Sequence, residues 1–281
     1  MAVIVPKLDH VVIDARDRID EAMSVYLSLG FQLTKRGRHT VGSVNHLAVF
    51  DTDYLELLGF DNKSGAVRAD VSRFPVGLNG LVFAAEQSDA LFNDLRARGL
   101  AVEPPIAFSR LVEVAGRSED AQFRVVRLSA GAVSYGRVYF CQHLTRELVW
   151  RPEWRLHPNG AMAVARVTIA LQDPASSSII FGRVFGRDAV RQAPSGVWTL
   201  AAGTVQIDVI GQEELRRRFG DAVPDPAGRA DYMAALTIRT ASLSQAAQAL
   251  RAGGIDRARI EPERTIIPAA EAMNVTLEFV E

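Results

Sequence analysis

The stretch LDHVVIDARDRIDEAMSVYLSLGF, residues 8–31, decides the fold of this chain of 281 residues. Its first eight residues are rich in Val and Ile, which is typical of a β-strand. From residue 17 onward apolar residues recur at helical spacing, and Gly30 follows as a C-terminal stop. Turn signals then separate three further predicted strands, at residues 31–40, 44–50 and 54–60. The sequence therefore predicts a β-α-β-β-β unit.

The same order recurs along the chain, with opening strands near residues 8, 78, 163 and 232. The second unit is predicted as a strand, a helix and three strands at residues 78–85, 88–98, 107–114, 122–128 and 137–143. The third is predicted as a strand, a helix and two strands at residues 163–171, 176–185, 196–201 and 204–210. The fourth is predicted as a strand, a helix and a last strand at residues 232–240, 242–252 and 275–280. The chain thus reads as four units.

Composition excludes several classes of partner. Lys and Arg total 32, Asp and Glu total 33, and the net charge is −1, so the chain carries no overall attraction for nucleic acid or an anionic membrane. A single cysteine, Cys141, permits no intrachain disulfide and fits a reducing cytoplasm. The N-terminus does not read as a signal peptide, and no apolar run approaches the length of a membrane span. We expect a cytoplasmic protein.

Several motifs resemble one family. LDHVVIDA, a helix ending in LGF, RHTVGSVNHLAVF and YLELLGF resemble the opening unit of the glyoxalase-like branch of the vicinal oxygen chelate superfamily, which includes glyoxalases, bleomycin-resistance proteins and extradiol dioxygenases. FCQHLTRELVWRPEW followed by HPNGA resembles that branch more specifically. The resemblance covers about the first 160 residues well, whereas the later residues match mainly in unit order.

The resemblance implies an α+β fold of four βαβββ units in two pairs, each pair an incomplete mixed β-barrel around a cleft. The first pair is expected at residues 1–150, a linker rich in Arg and Pro at 151–160, and a degenerate second pair at 161–281. In such folds a divalent metal ion usually lies in the cleft, bound by side chains of the first and fourth strands.

All five histidines precede residue 160, namely His10, His39, His46, His143 and His157. A metal site that contains histidine is therefore expected in the first pair. The second pair is expected to supply packing or a homodimer surface and to bind no metal, although Glu278 occupies the position of a fourth-strand acid. We interpret His157 as a residue that orders the linker, and His46 as structural.

His10 lies where the family places a metal-binding His or Gln, and Glu56 shares a strand face with Tyr54 and Leu58. A carboxylate among apolar residues is costly to bury without a partner, so Glu56 is a metal-ligand candidate; the alternative is a surface acid or an acid paired with an arginine. His143 is the third candidate, because two histidines and one carboxylate suit Fe(II) or a related ion such as Zn, Mn, Ni or Co. Glu56 and His143 are also the candidate catalytic residues.

Alternatives remain for this set. Gln142 and His143 are neighbours on one predicted strand, so only one of them can face the cleft, and Gln142 is the alternative there and a candidate substrate contact. His39 and Asn45 are also candidate substrate contacts, with a structural role in their turn as the alternative. In the second unit Gly80 matches His10, which argues against a four-ligand site and against glyoxalase I itself.

Two functions of different classes follow. A metal-dependent enzyme would act on a small oxygenated substrate by lyase or isomerase chemistry, or by ring-cleaving dioxygenation. Four-unit extradiol dioxygenases usually carry their metal in the second pair, which has no histidine here, and this disfavours the oxygenase. The alternative is a protein of the same fold that sequesters a small molecule without catalysis, which the glycine at position 80 favours.

Overall fold

The first half of the chain folds into two βαβββ units. The computed structural model describes residues 4–60, 69–114 and 116–281, so parts of the predicted first domain lie outside the described residues. The first unit comprises β1 (Leu8–Arg16), α1 (Ile19–Ser28), β2 (Gly37–Arg38), β3 (Val44–Val49) and β4 (Tyr54–Gly59). After α2 (Ala69–Ser72), the second unit comprises β5 (Gly77–Ala84), α3 (Ser88–Ala97), β6 (Ile106–Val114), β7 (Arg117–Arg127) and β8 (Arg137–His143).

The second half repeats this arrangement. The third unit comprises β9 (Ala161–Ala170), α4 (Ser176–Phe185), β10 (Val190–Gln192), β11 (Trp198–Ala202) and β12 (Val205–Ile210). After α5 (Gln212–Phe219), the fourth comprises β13 (Tyr232–Thr240), α6 (Leu243–Ala252), β14 (Arg259–Ile260), β15 (Thr265–Ile267) and β16 (Thr276–Val280). The predicted α+β class and the four βαβββ units in two pairs are confirmed.

Each pair of units forms one eight-stranded mixed sheet. The strand orders are β2-β3-β4-β1-β5-β8-β7-β6 and β10-β11-β12-β9-β13-β16-β15-β14. The opening strands of two units pair antiparallel at the centre, and each opening strand is parallel to the last strand of its own unit. In the first sheet a bridge between His39 and Arg110 brings the two edges together, so this sheet approaches a closed barrel.

The predicted second strand is much shorter than expected. Of residues 31–40, only Gly37–Arg38 pair as a strand. Thr34 instead bonds across to β3 through its N–H and its hydroxyl, both to Leu47. Because the side chain replaces one backbone partner, residues 31–36 follow β3 without forming a regular ladder.

Every opening strand carries an extra residue at an equivalent point of its ladder. The pairing registers of β1 with β5 and of β9 with β13 shift there, so that this residue has no partner opposite. These residues are Asp9, Asn79, Ala165 and Ala234, and β9 has a second shift at Met162. Such a bulge turns successive side chains toward the same side of a sheet. The residues that follow the bulges, His10, Gly80, Arg166 and Ala235, are therefore equivalent by position.

One apolar core joins the two halves. It contains residues from both sheets, and Phe31 of the first half stacks on Phe279 of the last strand, with ring centroids 5.9 Å apart. Helices α1 and α6 cross closely, since a Cβ at Gly253 would lie 1.8 Å from the carbonyl oxygen of Ser28. The predicted domain limits stay a prediction, because each sheet forms within one range while the core spans both.

No helix among the described residues has the length and apolar character needed to cross a membrane.

Candidate metal centre

His10 lies in the cleft of the first sheet and is held by the residue before it. The bulge at Asp9 turns this side chain toward the same side as His10, and Asp9 Oδ1 lies 2.6 Å from His10 Nδ1. Because a carboxylate only accepts hydrogen bonds, Nδ1 carries the proton and Nε2 of a neutral ring has a free lone pair. Both side chains are buried. Asp9 was not among the residues predicted from the sequence, because regular alternation would point it away from the cleft.

Glu56 faces this lone pair from the neighbouring strand. Its Oε2 lies 3.6 Å from His10 Nε2, too far for a hydrogen bond, and its Oε1 accepts a hydrogen bond of 2.7 Å from Asn45 Nδ2. Burial raises the pKa of Glu56, but the attraction of His10, His39 and Arg110 and the bond from Asn45 lower it overall. Glu56 is therefore an ionised carboxylate inside the protein, as a metal ligand must be.

His143 also lies beside Asp9. Its Nε2 lies 2.9 Å from Asp9 Oδ1, and the ligand atoms of Asp9, His10 and His143 lie within 4.8 Å of one another. Burial raises the pKa of Asp9, yet attraction to His143 and hydrogen bonds from both imidazoles hold it well below its usual value. His10 and Glu56 thus line one cavity, whereas His143 is joined to His10 through the oxygen of Asp9 that both imidazoles bond.

The predicted substrate contacts separate into two groups. His39 lies beside Glu56, with Nε2 3.9 Å from Oε1, and Asn45 bonds the same carboxylate. Gln142 lies on the other face of β8, where its Oε1 accepts a hydrogen bond of 3.0 Å from the backbone N–H of Ser88 at the start of α3. The structure therefore brings His39 and Asn45 to the cleft and places Gln142 at a helix end.

The second unit offers no counterpart of the His10 and Glu56 pair. Glu56 lies opposite Val12, and the equivalent register in the second unit places Tyr139 opposite Val82. A Cβ on Gly80, the counterpart of His10, would lie 2.6 Å from Val12 Cβ. Gly80 is thus needed for the close approach of β1 and β5, which leaves no space for a ligand there.

Arg110, on β6, is a cleft residue that the sequence analysis missed. It is 3% exposed, and burial lowers the pKa of its guanidinium. It lines the cavity that also contains His10 and Glu56, which has a volume of ≈ 30 Å³. The local sequence FSRLVE carries a signal for this, because alternation places Arg110 on the same face of β6 as Phe108 and Val112.

These residues fit a divalent cation. Two ionised carboxylates, those of Asp9 and Glu56, are buried with one guanidinium near them, so a cation would compensate their charge. His10 Nε2 and Glu56 Oε2 face each other across a gap that no hydrogen bond closes. A carboxylate that fixes the other nitrogen of a ligating histidine is a common feature of metal sites. Asp9, His10 and Glu56 reproduce this arrangement.

The comparisons with known proteins identify the family. A family model described as a Glyoxalase-like domain matches residues 8–184, well over half of the chain. The chain belongs to this glyoxalase-like family. The predicted membership of the vicinal oxygen chelate superfamily is confirmed. Among the curated proteins, none matches the sequence of this glyoxalase-like chain.

Solved structures share the fold of this glyoxalase-like chain over its whole length. A hypothetical protein from Staphylococcus aureus superimposes with a TM-score of 0.68 at 12% identity, covering 98% of this chain and 99% of that one. A triple mutant of 4-hydroxymandelate synthase from Streptomyces coelicolor gives 0.60 at 11% identity, covering 98% and 92%. A fusion protein of a xylose isomerase-like TIM barrel and 4-hydroxyphenylpyruvate dioxygenase gives 0.61 at 10% identity, covering 100% and 49%. At these identities the likeness shows the fold alone.

The second sheet of the glyoxalase-like chain has charged pairs at the equivalent positions. Arg166 replaces His10, and its Nε lies 3.4 Å from Asp208, the counterpart of Glu56. Glu278 accepts hydrogen bonds from Thr237 and from Arg264, at 2.7 and 3.1 Å. Arginine side chains therefore neutralise the acids of this sheet.

Proposed function

We propose that this chain is a metal-dependent enzyme of the vicinal oxygen chelate type that acts on a small oxygenated substrate. The observation that carries the proposal is the alignment of Asp9, His10 and Glu56: one buried carboxylate fixes the imidazole, whose free nitrogen faces a second buried carboxylate 3.6 Å away. A protein that used this cleft only for packing would have no use for two ionised acids, because burying them is costly.

His10 Nε2 and Glu56 would hold the metal, which is one of Fe, Zn, Mn, Ni or Co. When bound, such an ion acts as a Lewis acid that polarises the two substrate oxygens it holds. Asp9 keeps the His10 ring in one tautomer and one orientation. Asn45 donates to Glu56 Oε1 and so fixes the plane of that carboxylate.

His143 stays the predicted third ligand, and its contacts also support a role as a base. Its Nε2–H donates to Asp9, and its buried Nδ1 has no hydrogen-bond partner among the described residues. A neutral imidazole held in this way by a carboxylate can accept a proton at Nδ1. Proton abstraction from carbon is a step of lyase and isomerase chemistry, which we therefore propose over ring-cleaving dioxygenation.

The metal content of purified variants tests this proposal. We expect His10→Ala and Glu56→Ala to lose bound metal, since each removes one of two facing ligands. If His143→Ala also loses it, the predicted set of His10, Glu56 and His143 holds. If His143→Ala keeps the metal, His143 is not a ligand, and loss of turnover in that metal-loaded variant would then support its role as the base. His39→Ala is the matched control, because it removes an imidazole next to Glu56 that is outside the proposed set.

The parent protein decides between enzyme and sequestering protein. If it retains none of these metals at micromolar concentration, the metal-dependent enzyme is excluded, and the non-catalytic protein that binds a small molecule in the same cleft takes its place.

A further inference from the structure

Arg110 is a buried cation that forms no ion pair with the residues that the structure describes. Its side chain is almost fully buried, and Nη2 has no hydrogen-bond partner among the described residues. Glu56 attracts it electrostatically, but no ion pair within 4.0 Å joins Arg110 to an acid in the described part of the chain. A buried guanidinium whose donors are left unpaired is strongly unfavourable, so its retention indicates a partner that arrives from outside.

The neighbouring strand makes room for this side chain. A Cβ at Gly37 would lie 2.3 Å from Asn45 Oδ1, 3.0 Å from Arg110 Cδ and 3.1 Å from Arg110 Nη1. The φ angle of Gly37 is not positive, so its backbone does not demand glycine. The missing side chain at Gly37 therefore leaves room both for Asn45, which bonds Glu56, and for the guanidinium.

A route for an anion leads to Arg110. The residue lines the cavity beside His10 and Glu56, and it also lines an adjoining groove of ≈ 500 Å³. Lys35, Arg36 and Arg38 line the same groove, with Glu113 as the one acid among its lining residues. Lys35 pairs with Glu113 and Arg36 with Asp20, so cations still outnumber acids around the groove. A groove with an excess of one charge raises the local concentration of the opposite ion, here an anion.

We propose that Arg110 binds a carboxylate of the substrate, and that the substrate carries this carboxylate in addition to the two oxygens presented to the metal. The inference rests on the proposed function and names the substrate class of the same cleft. A guanidinium can bind a carboxylate or a phosphate through two parallel N–H groups, and the carboxylate is favoured here because it is the smaller group for a cavity of ≈ 30 Å³.

The first test uses the metal-free protein, so that it does not depend on the metal. Propionate and propionamide have nearly the same shape and differ in charge, and their affinities can be measured by NMR titration. We expect the parent to prefer propionate about tenfold or more, as a charge-assisted hydrogen bond allows. Arg110→Gln should abolish this preference while its affinity for propionamide is unchanged. Lys35→Gln, which removes an exposed charge of the same groove, should keep it.

Equal affinity of the parent for both probes, or a preference that survives in Arg110→Gln, would overturn the inference. Tighter binding of inorganic phosphate than of propionate would also overturn it, in favour of a phosphate ligand. Arg110→Met separates a binding role from a structural one, because removing an unpaired buried charge should leave the melting temperature unchanged or higher. A lower melting temperature would show that Arg110 has a structural partner.

The second test uses zinc-loaded protein with 2-oxoglutarate and its distal amide, 2-oxoglutaramate. We expect the parent to prefer 2-oxoglutarate about tenfold or more and Arg110→Gln to bind both equally. If the parent protein cannot retain a metal but still prefers propionate, the inference about Arg110 is sustained and the proposed metal-dependent function is excluded. Normal metal content without any preference for a carboxylate would sustain the proposed function and remove the inference.

Discussion

Replacement of Asp9 by Asn is the most informative change in the cleft. Asp9 accepts hydrogen bonds from two imidazoles, at 2.6 Å from His10 and 2.9 Å from His143. Asparagine has nearly the same shape, but it has one acceptor oxygen and its amide group donates. Both imidazoles bond the same oxygen, Oδ1, so the amide oxygen of Asp9→Asn can still accept from both, but as a neutral acceptor it holds the proton on His10 Nδ1 less strongly. If the amide group faces His10 instead, the ring exchanges its tautomer, and its Nε2 then carries a proton and cannot bind a metal.

The expected result is a loss of metal affinity of about 10–100-fold, as for other residues that orient a ligating histidine. This corresponds to about 1.4–2.8 kcal/mol of binding free energy. A competition titration of cobalt or zinc against a chelator measures the change directly. The effect should appear without loss of the fold, because the replacement keeps the volume of a fully buried side chain.

Asp53→Asn is the matched control. Asp53 is also buried and interacts electrostatically with Asp9, but its carboxylate bonds the backbone N–H of Val164 and not an imidazole. Burial raises the pKa of Asp53 to about 6, so this replacement also removes a negative charge at neutral pH. We expect its metal affinity to stay within about twofold of the parent. Equal losses in both variants, or none in Asp9→Asn, would refute the role given to Asp9.

Two further predictions concern stability. Gly80→Ala places a Cβ 2.6 Å from Val12 Cβ, so urea unfolding should show a free energy of unfolding lower by about 1–3 kcal/mol. Gly182→Ala, inside α4, brings its Cβ no nearer than 3.8 Å to residues outside the helix and should raise the free energy of unfolding by about 0.5–1 kcal/mol. Equal effects of the two changes would contradict the close approach of β1 and β5. Burial lowers the pKa of His157, whose neutral ring accepts a hydrogen bond at Nδ1 from the Gln32 N–H. The contribution of His157 to the free energy of unfolding is therefore complete above the unfolded pKa of about 6.5 and decreases as the pH falls below that value. The parent should therefore lose up to about 1.4 kcal/mol more than His157→Gln between pH 6.5 and 5.5, and parallel unfolding curves for the two proteins would refute this.

The sequence by itself determined the order of elements and the class of the fold. Apolar spacing of 3.6 in the helices and of 2 in the strands is a local property, so residues 8–31 already specified β1 and α1. The recurrence of the unit indicated two pairs of units, although β10, β14 and β15 were not among the strands predicted from the sequence. It also placed His10 and Glu56 on strands that pair with each other, which is why these two predicted residues face one another.

The tertiary structure alone decided how the cleft is completed. The extra residue at Asp9 has no signal in the sequence, because a bulge depends on how two strands 70 residues apart align. That alignment brings Asp9 between His10 and His143, and it turns Gln142 toward α3.

Arg110 shows the same limit. Alternation along β6 places it on the face of Phe108 and Val112, but only the closure of the barrel puts it beside Glu56. Residues distant in the sequence determine whether a charged side chain is buried and whether it has a partner. Periodicity predicts only which face of a strand a residue occupies. The local pattern could therefore specify which strands build the cleft, while contacts between distant strands specified which charges it contains.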